Sequence, residues 1–253
     1  MATATSMGDI TQYFDSKVLS DVVVSFDTPY GNCGINAHKI VLAKASEFFN
    51  TAFTGEFKES KSAEINLHDD DRFAVIGMLA DCYGLVFDGR SEYSKEGVTI
   101  DCNDNGAGFV QYKVNLYVVA DKYGVANLCT QIKERFPDML VCITSTSVKE
   151  YPAYLDQVAR SIYIDNQVAA KDLRAPLINT LVKHVQSCVS TKEFEALIMD
   201  VPELAVELFR ALAGNTGGET GSKAGPGNVG TKRPRKRKLQ CEVDDLIAST
   251  FQR

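Results

Sequence analysis

The amino-acid sequence predicts an α+β domain followed by an all-helical extension and a low-complexity tail. Three observations carry that reading. Strand-like and helix-like runs are interleaved up to about residue 136. From 137 to 212, apolar residues recur only at helical spacing. After Leu212 glycine takes over and apolar residues become sparse.

Taken in order, residues 1–16 are small and polar, a flexible N-terminus with room for a short helix at ITQYFDS. SDVVVSF is a β-branched run ending at the turn residues DTPYGN, and CGINAHKI alternates apolar and polar, so the two predict a hairpin. Val41, Leu42, Ala45, Phe48, Phe49, Ala52 and Phe53 share one helical face, and Gly55 stops that helix. AEINL is a short strand. Asp70 or Asp71 can then cap a helix whose apolar face is Phe73, Ile76, Met78 and Leu79, because a carboxylate accepts the free N–H groups of a first turn. Residues 85–112 are rich in Gly, Asp, Asn and Ser and read as an exposed loop insertion, with a small strand at GVTI. KVNLYVVADKYGV is apolar nearly all round, as a central helix is. ANLCTQIKERF is a further helix, closed by Pro137.

The second half carries three helical stripes: Leu155, Val158, Ala159 and Ile162; Leu173, Leu177, Leu181 and Val185; and Val201, Leu204, Ala205, Leu208, Phe209 and Leu212. Asp200 and Glu203 have the spacing of a capping box for the last. Residues 213–253 begin with AGNTGGETGSKAGPGNVG, which cannot bury enough surface to offset its ordering entropy and predicts a disordered linker. The basic run TKRPRKRK follows, then CEVDDLIASTFQR, where Val243, Leu246, Ile247 and Phe251 could form a short apolar face.

Charge is divided in the same way. Residues 213–253 hold eight basic and four acidic side chains of the chain's 27 and 33, which leaves residues 1–212 at −10. An acidic body repels phosphates, so any nucleic-acid contact falls to the tail and is weak and salt-dependent. No apolar run reaches the length of a membrane span, the N-terminus lacks the basic-then-apolar pattern of a signal peptide, and the seven cysteines form no CxxC. The expectation is an intracellular chain in a reducing compartment, off the membrane, with Cys82, Cys129, Cys142 and Cys188 acting as small hydrophobes.

Residues that could carry chemistry are few. Of three histidines, His38 ends a strand, His68 adjoins Asp69, Asp70 and Asp71 at a strand end, and His184 lies four residues before Cys188 on one helix. The acidic group reads as capping and solvated charge. His184 and Cys188 have no second ligand pair and read as packing. GNTGGETGSK fails as a phosphate loop, since Gly221 precedes Ser222 rather than a Lys-Ser/Thr pair and a helical stripe precedes the run. No catalytic residue, metal site or cofactor is expected, and the chain reads as a non-enzyme.

Five segments in order, LSDVVVSF, INAHKIVLAKASEFF, FTGEFKES, INLHDDDRFAVIGMLADCYG and VVADKYGVANL, resemble a BTB/POZ domain over residues 17–136. The helical part, 137–212, resembles the C-terminal region of fungal BTB-only proteins. The resemblance implies a small mixed sheet flanked by helices and a module that binds other proteins, commonly pairs with itself and in some members bridges a substrate to a cullin-type ubiquitin ligase. It implies that His38 is structural, and that Asp21 and Lys39 line a small charged pocket near the dimer face, which binds partners in relatives that recruit co-regulators or serves only as a structural ion pair. Cullin-binding members place a hydrophobic-x-acidic element before the helix with Ala-Asp-Lys-Tyr. Counting back gives Tyr112, Lys113 and Val114, so Tyr112 is the cullin-facing candidate while Val114 is not acidic.

In the tail, Lys232, Arg233, Arg235, Lys236, Arg237 and Lys238 around Pro234 resemble a nuclear localisation signal read by an import receptor. The functional expectation is a self-associating interaction module and nuclear scaffold or regulator, with the cytoplasm also open. The alternatives are a substrate adaptor for a cullin-RING ligase and a regulator tethered to DNA by the tail, although Lys232 stands where minor-groove Arg-Pro hooks usually carry glycine.

Overall fold

The SDVVVSF run forms β1 (Val22–Thr28) and the alternating run forms β2 (Gly31–Ala37), antiparallel from Val22 opposite Ala37 to Thr28 opposite Gly31. The structure, a computed structural model, describes residues 10–28, 31–85, 94–95, 98–99, 107–146 and 151–216. Within the segment read as a flexible N-terminus, Ile10–Tyr13 is a 3₁₀ turn. Tyr13 packs edge-on against His38 and Phe14 against Tyr83, with ring centres 5.8 and 5.7 Å apart, so two aromatic anchors fix a stretch whose composition reads as loose.

The single helix expected after the hairpin is two, α1 (Lys39–Ala45) and α2 (Glu47–Thr54), hinged at Ser46 in an extended conformation. The apolar period runs through the break and hides it. Ser46 caps α2, accepting from the Phe49 N–H at 3.0 Å, while its own hydroxyl donates to the Tyr123 carbonyl at 2.5 Å. A short α3 (Lys58–Lys61) leads to β3 (Glu64–Leu67), which joins β1 in parallel and gives the strand order β2-β1-β3. Asp71 is the residue that caps α4 (Arg72–Cys82), accepting from Ala74 N–H at 2.8 Å.

Beyond α4, Val98–Thr99 of the predicted GVTI strand is β5, paired with β4 (Ser94–Lys95). Helix α5 (Ala107–Lys122) begins inside the stretch read as loop, because Val110 and Tyr112 are already buried there. Helix α6 (Ala126–Thr146) passes straight through Pro137. An interior proline costs a helix about 3 kcal/mol. Here Ile132, Phe136, Leu140 and Ile143 bury one continuous stripe on both sides of it, and burying each such side chain is worth about 1.5–3 kcal/mol.

The extension consists of α7 (Tyr151–Arg160), which runs on into a π-turn at Ser161–Asp165, a 3₁₀ turn at Lys171–Leu173, α8 (Arg174–Cys188), α9 (Lys192–Asp200) and α10 (Pro202–Thr216). The capping box at Asp200 and Glu203 does not form. Asp200 ends α9 and its carboxylate accepts from Arg160 Nη1 at 2.9 Å, while α10 starts on Pro202, whose missing N–H costs nothing in a first turn. Helix α10 also continues to Thr216, past the expected linker start at 213. The rest of the linker and the basic tail lie outside the described residues.

One buried cluster serves both halves, from Val24 and Ile35 of the sheet, through Leu116 and Phe136, to Leu155, Leu177 and Leu204. Residues up to Thr216 form one compact unit, with no break where the α+β part was expected to give way to helices. No helix among the described residues is long and apolar enough to cross a membrane.

Ser46→Ala removes a helix cap and strands the Tyr123 carbonyl in the core. The expected loss is about 2–3 kcal/mol, read as a lower urea midpoint with an unchanged slope.

Candidate functional site

The polar groups singled out in the sequence fall at three places on this frame. At the first, β2 hands over to α1. His38 is buried and satisfied on every side. Its backbone N–H donates to Tyr83 Oη at 2.9 Å, Nδ1 lies 2.8 Å from the same oxygen, and Nε2 lies 2.9 Å from the Val18 carbonyl. The set closes with one tautomer: Nε2–H donates to Val18, and the tyrosine hydroxyl donates to Nδ1. Burial pushes the Tyr83 hydroxyl up to about 12. The stability this carries is complete below the ordinary tyrosine value and is lost as pH rises through about 12.

Asp21 and Lys39 meet at the same junction, but not as the expected ion pair. The Asp21 carboxylate accepts from the Lys39 backbone N–H at 2.7 Å and so caps α1. The Lys39 ammonium turns the other way, donating to the carbonyls of Ser60 and Ser62 at 3.0 and 2.8 Å, with the Phe53 ring centre 5.4 Å away. An exposed ion pair gains little over water. Carbonyls that end α3, with an aromatic face beside them, offer the ammonium a better-ordered seat. The two residues frame the start of α1, each bonded to backbone groups rather than to the other.

At the second place the acidic run meets α5. Asp70 is the buried member, its carboxylate gripped by the Lys122 ammonium at 2.8 and 2.9 Å and by the Tyr123 hydroxyl at 2.6 Å. Burial and this carboxylate raise the Tyr123 hydroxyl far above its usual range. Asp71 caps α4, and His68 lies exposed 3.3 Å from Asp27. Among the described residues no group of three His, Cys, Asp or Glu side chains could hold a metal ion. His184 packs edge-on against Tyr151 at 5.1 Å, and burial pushes the Cys188 thiol up to about 11 and Cys82 up to about 12.

The third place is a groove of about 980 Å³ between α2, α3, β3 and the α5–α6 turn. Phe48 and Phe57 stand on its walls, 40% and 57% exposed. Tyr112, the cullin-facing candidate, is not on this surface or any other. It is 6% exposed, its hydroxyl packed against Gly77 of α4 where a Cβ would collide with it, because α5 needs its bulk to fill the space beside α4. A hydrophobic-x-acidic triplet does line the groove, as exposed Phe57 and Lys58 and half-buried Glu59. Counting back from Ala-Asp-Lys-Tyr missed it. The signal was available in FTGEFKES, in an aromatic residue placed just after the helix-stopping Gly55.

Comparison with known proteins agrees with this frame. The BTB/POZ domain family matches residues 10–84, from the first 3₁₀ turn through α4. A BTB/POZ domain-containing protein of Arabidopsis thaliana is 27% identical over 235 residues, which cover 92% of this chain and 96% of the plant protein. Two Homo sapiens proteins, Kelch repeat and BTB domain-containing proteins 7 and 6, are each 28% identical over 85 residues, 32% of this chain but only 12% and 13% of their own lengths. With its sheet, its capped helices and its motif residues all in register, the segment 10–84 of this chain is a BTB/POZ domain, a protein-interaction module.

Proposed function

We propose that this chain is a self-associating interaction module that serves as a nuclear scaffold or regulator. The observation that carries the reading lies at the β2–α1 end of the sheet. Val18, Leu19 and Ile40 stand there 61%, 80% and 78% exposed, an apolar patch beside the buried His38. Leu19 sits at φ +61°, a left-handed conformation that costs a residue with a Cβ about 1–2 kcal/mol. The hydrogen bond from His38 to the Val18 carbonyl and the turn closed by Ser20 N–H on Lys17 O hold it there. Strain that displays a leucine to solvent points to a partner that covers it, and a second copy of the same patch is complementary by symmetry. Leu19→Asp is expected to convert a dimer into a folded monomer in light scattering at micromolar concentration. A wild-type chain that is monomeric over that range defeats the reading.

The second reading, a substrate adaptor for a cullin-RING ligase, draws support from the Phe57, Lys58 and Glu59 triplet at the groove, with Phe57 exposed. In a pull-down with a cullin N-terminal domain, Phe57→Ala is expected to lose most of the bound cullin while its melting curve stays put, since the ring is more than half exposed. No capture by the wild-type chain removes the adaptor reading.

Nuclear address rests on the basic run alone. A fluorescent fusion is expected to leave the nucleus when Lys236 and Arg237 are both changed to alanine, and an unchanged nuclear signal counts against import by this segment.

A further inference from the structure

The two edges of the three-stranded sheet are finished differently. On β2 the outward N–H of Asn36 is taken by the Asp15 carboxylate at 2.9 Å, with the Asn36 side chain donating to the same oxygen at 3.1 Å, so the N-terminal segment meets that edge near its Ala37 end. On β3 the pairing with β1 fixes which groups face out. Val23 N–H bonds the Ala63 carbonyl, and alternation along a parallel ladder turns Ile65 and Leu67 toward β1 and the backbones of Glu64 and Asn66 away. Ser62 Oγ accepts the Glu64 N–H at 3.0 Å. No hydrogen bond within the described residues reaches the Asn66 N–H or the carbonyls of Glu64 and Asn66. Glu64, Ile65 and Asn66 line the groove of about 980 Å³.

We infer that the open edge of β3 takes an extended peptide of alternating apolar and basic residues as a fourth strand of the sheet. An unpaired edge is a template for main-chain pairing, and pockets for alternate side chains supply the selectivity. Both are present here. Phe48 and Phe57 offer aromatic surface on the facing wall, and Glu47, Glu59, Glu64 and Asp121 line the groove. Against these four carboxylates stand Lys58 and Lys122, and the Lys122 ammonium is committed to Asp70, so the groove is left negative toward a ligand. Four residues of β3 span about 13 Å, enough to pair with about four residues of the guest. The inference rests on the interaction-module reading in naming a protein partner. It uses a different face from the Leu19 patch, and main-chain pairing at β3 separates it from recognition of the Phe57 triplet.

The test selects a random octapeptide library on the folded full-length chain, then measures the enriched peptides by fluorescence anisotropy. Enrichment of alternating apolar and Lys or Arg positions is expected. Asn66→Pro removes the outward N–H while leaving the ladder to β1 intact, and is expected to weaken binding about tenfold. N-methylation of alternate peptide residues, in the register that faces β3, is expected to weaken binding at least as much against the unaltered chain, and decides the matter if the proline variant does not fold. Enrichment without alternation or basic residues, no enrichment at all, or binding indifferent to N-methylation overturns the inference. Light scattering on the same Asn66→Pro sample is expected to show unchanged self-association, so loss of the peptide and loss of the dimer remain separate results.

Discussion

The fold turns on what converges at Tyr123. Its carbonyl takes the Ser46 hydroxyl, its own hydroxyl donates to Asp70, and its ring meets Phe48 and Phe49 at 5.0 and 6.1 Å. The next residue, Gly124, lies at φ +64° and accepts the Glu47 N–H at 3.3 Å, and a Cβ there would press on Glu47. One tyrosine and the glycine after it thus tie the α1–α2 hinge, the end of β3 and the start of α6 to a single point. Ser46 and Tyr123 are buried, and there an unmet hydrogen-bonding group costs about 1–3 kcal/mol. The geometry is therefore held by mutual necessity more than by any one strong bond.

This explains why the motifs were readable before their purpose was. The serine, the phenylalanine pair, the paired aspartates and the Ala-Asp-Lys-Tyr segment stand far apart in sequence, and none shows periodicity. They are fixed because they meet. The elements between them were legible for a different reason: alternation in CGINA and the apolar faces of α4, α5, α7 and α8 follow from which side is buried. What stayed hidden was set by tertiary contacts that a local pattern does not record. Ser46 breaks a continuous apolar period because Tyr123 is waiting for its hydroxyl. Pro137 fails to break α6 because Phe136 and Leu140 are both buried. Tyr112 reads as an exposed hydrophobe until α4 is seen beside it.

The candidate site was less legible than the fold, and for a physical reason. A catalytic centre gathers unusual residues, so its composition betrays it. A surface for another protein is made of ordinary ones. Asp21 and Lys39 attracted attention as charges, yet both are spent on backbone groups, at the start of α1 and at the end of α3. The residues on which the proposed surfaces rest are instead Leu19, Phe57 and Asn66. They matter through a left-handed φ, an exposed ring and an unmet N–H, none of which is a property of residue type.

The helical extension shapes these surfaces by what it covers. Arg174, buried at the start of α8, pairs with Glu203 at 2.7 Å and Glu207 at 3.5 Å on α10, donates to the Gln167 carbonyl at 2.8 Å and lies 4.4 Å from the Tyr163 ring centre. Glu207 in turn accepts from the Tyr163 hydroxyl at 2.6 Å, which together with burial raises that hydroxyl well above its ordinary value. A buried arginine left without its carboxylates is a large penalty, so α8 and α10 are not free to swing away from the π-turn. With α5 packed on α7 and α6 on α8, the extension closes the far side of α5 and α6. The groove and the edge of β3 remain outside that closure. In the three-stranded sheet, Asp15 holds the β2 edge at Asn36, while the β3 edge faces the groove.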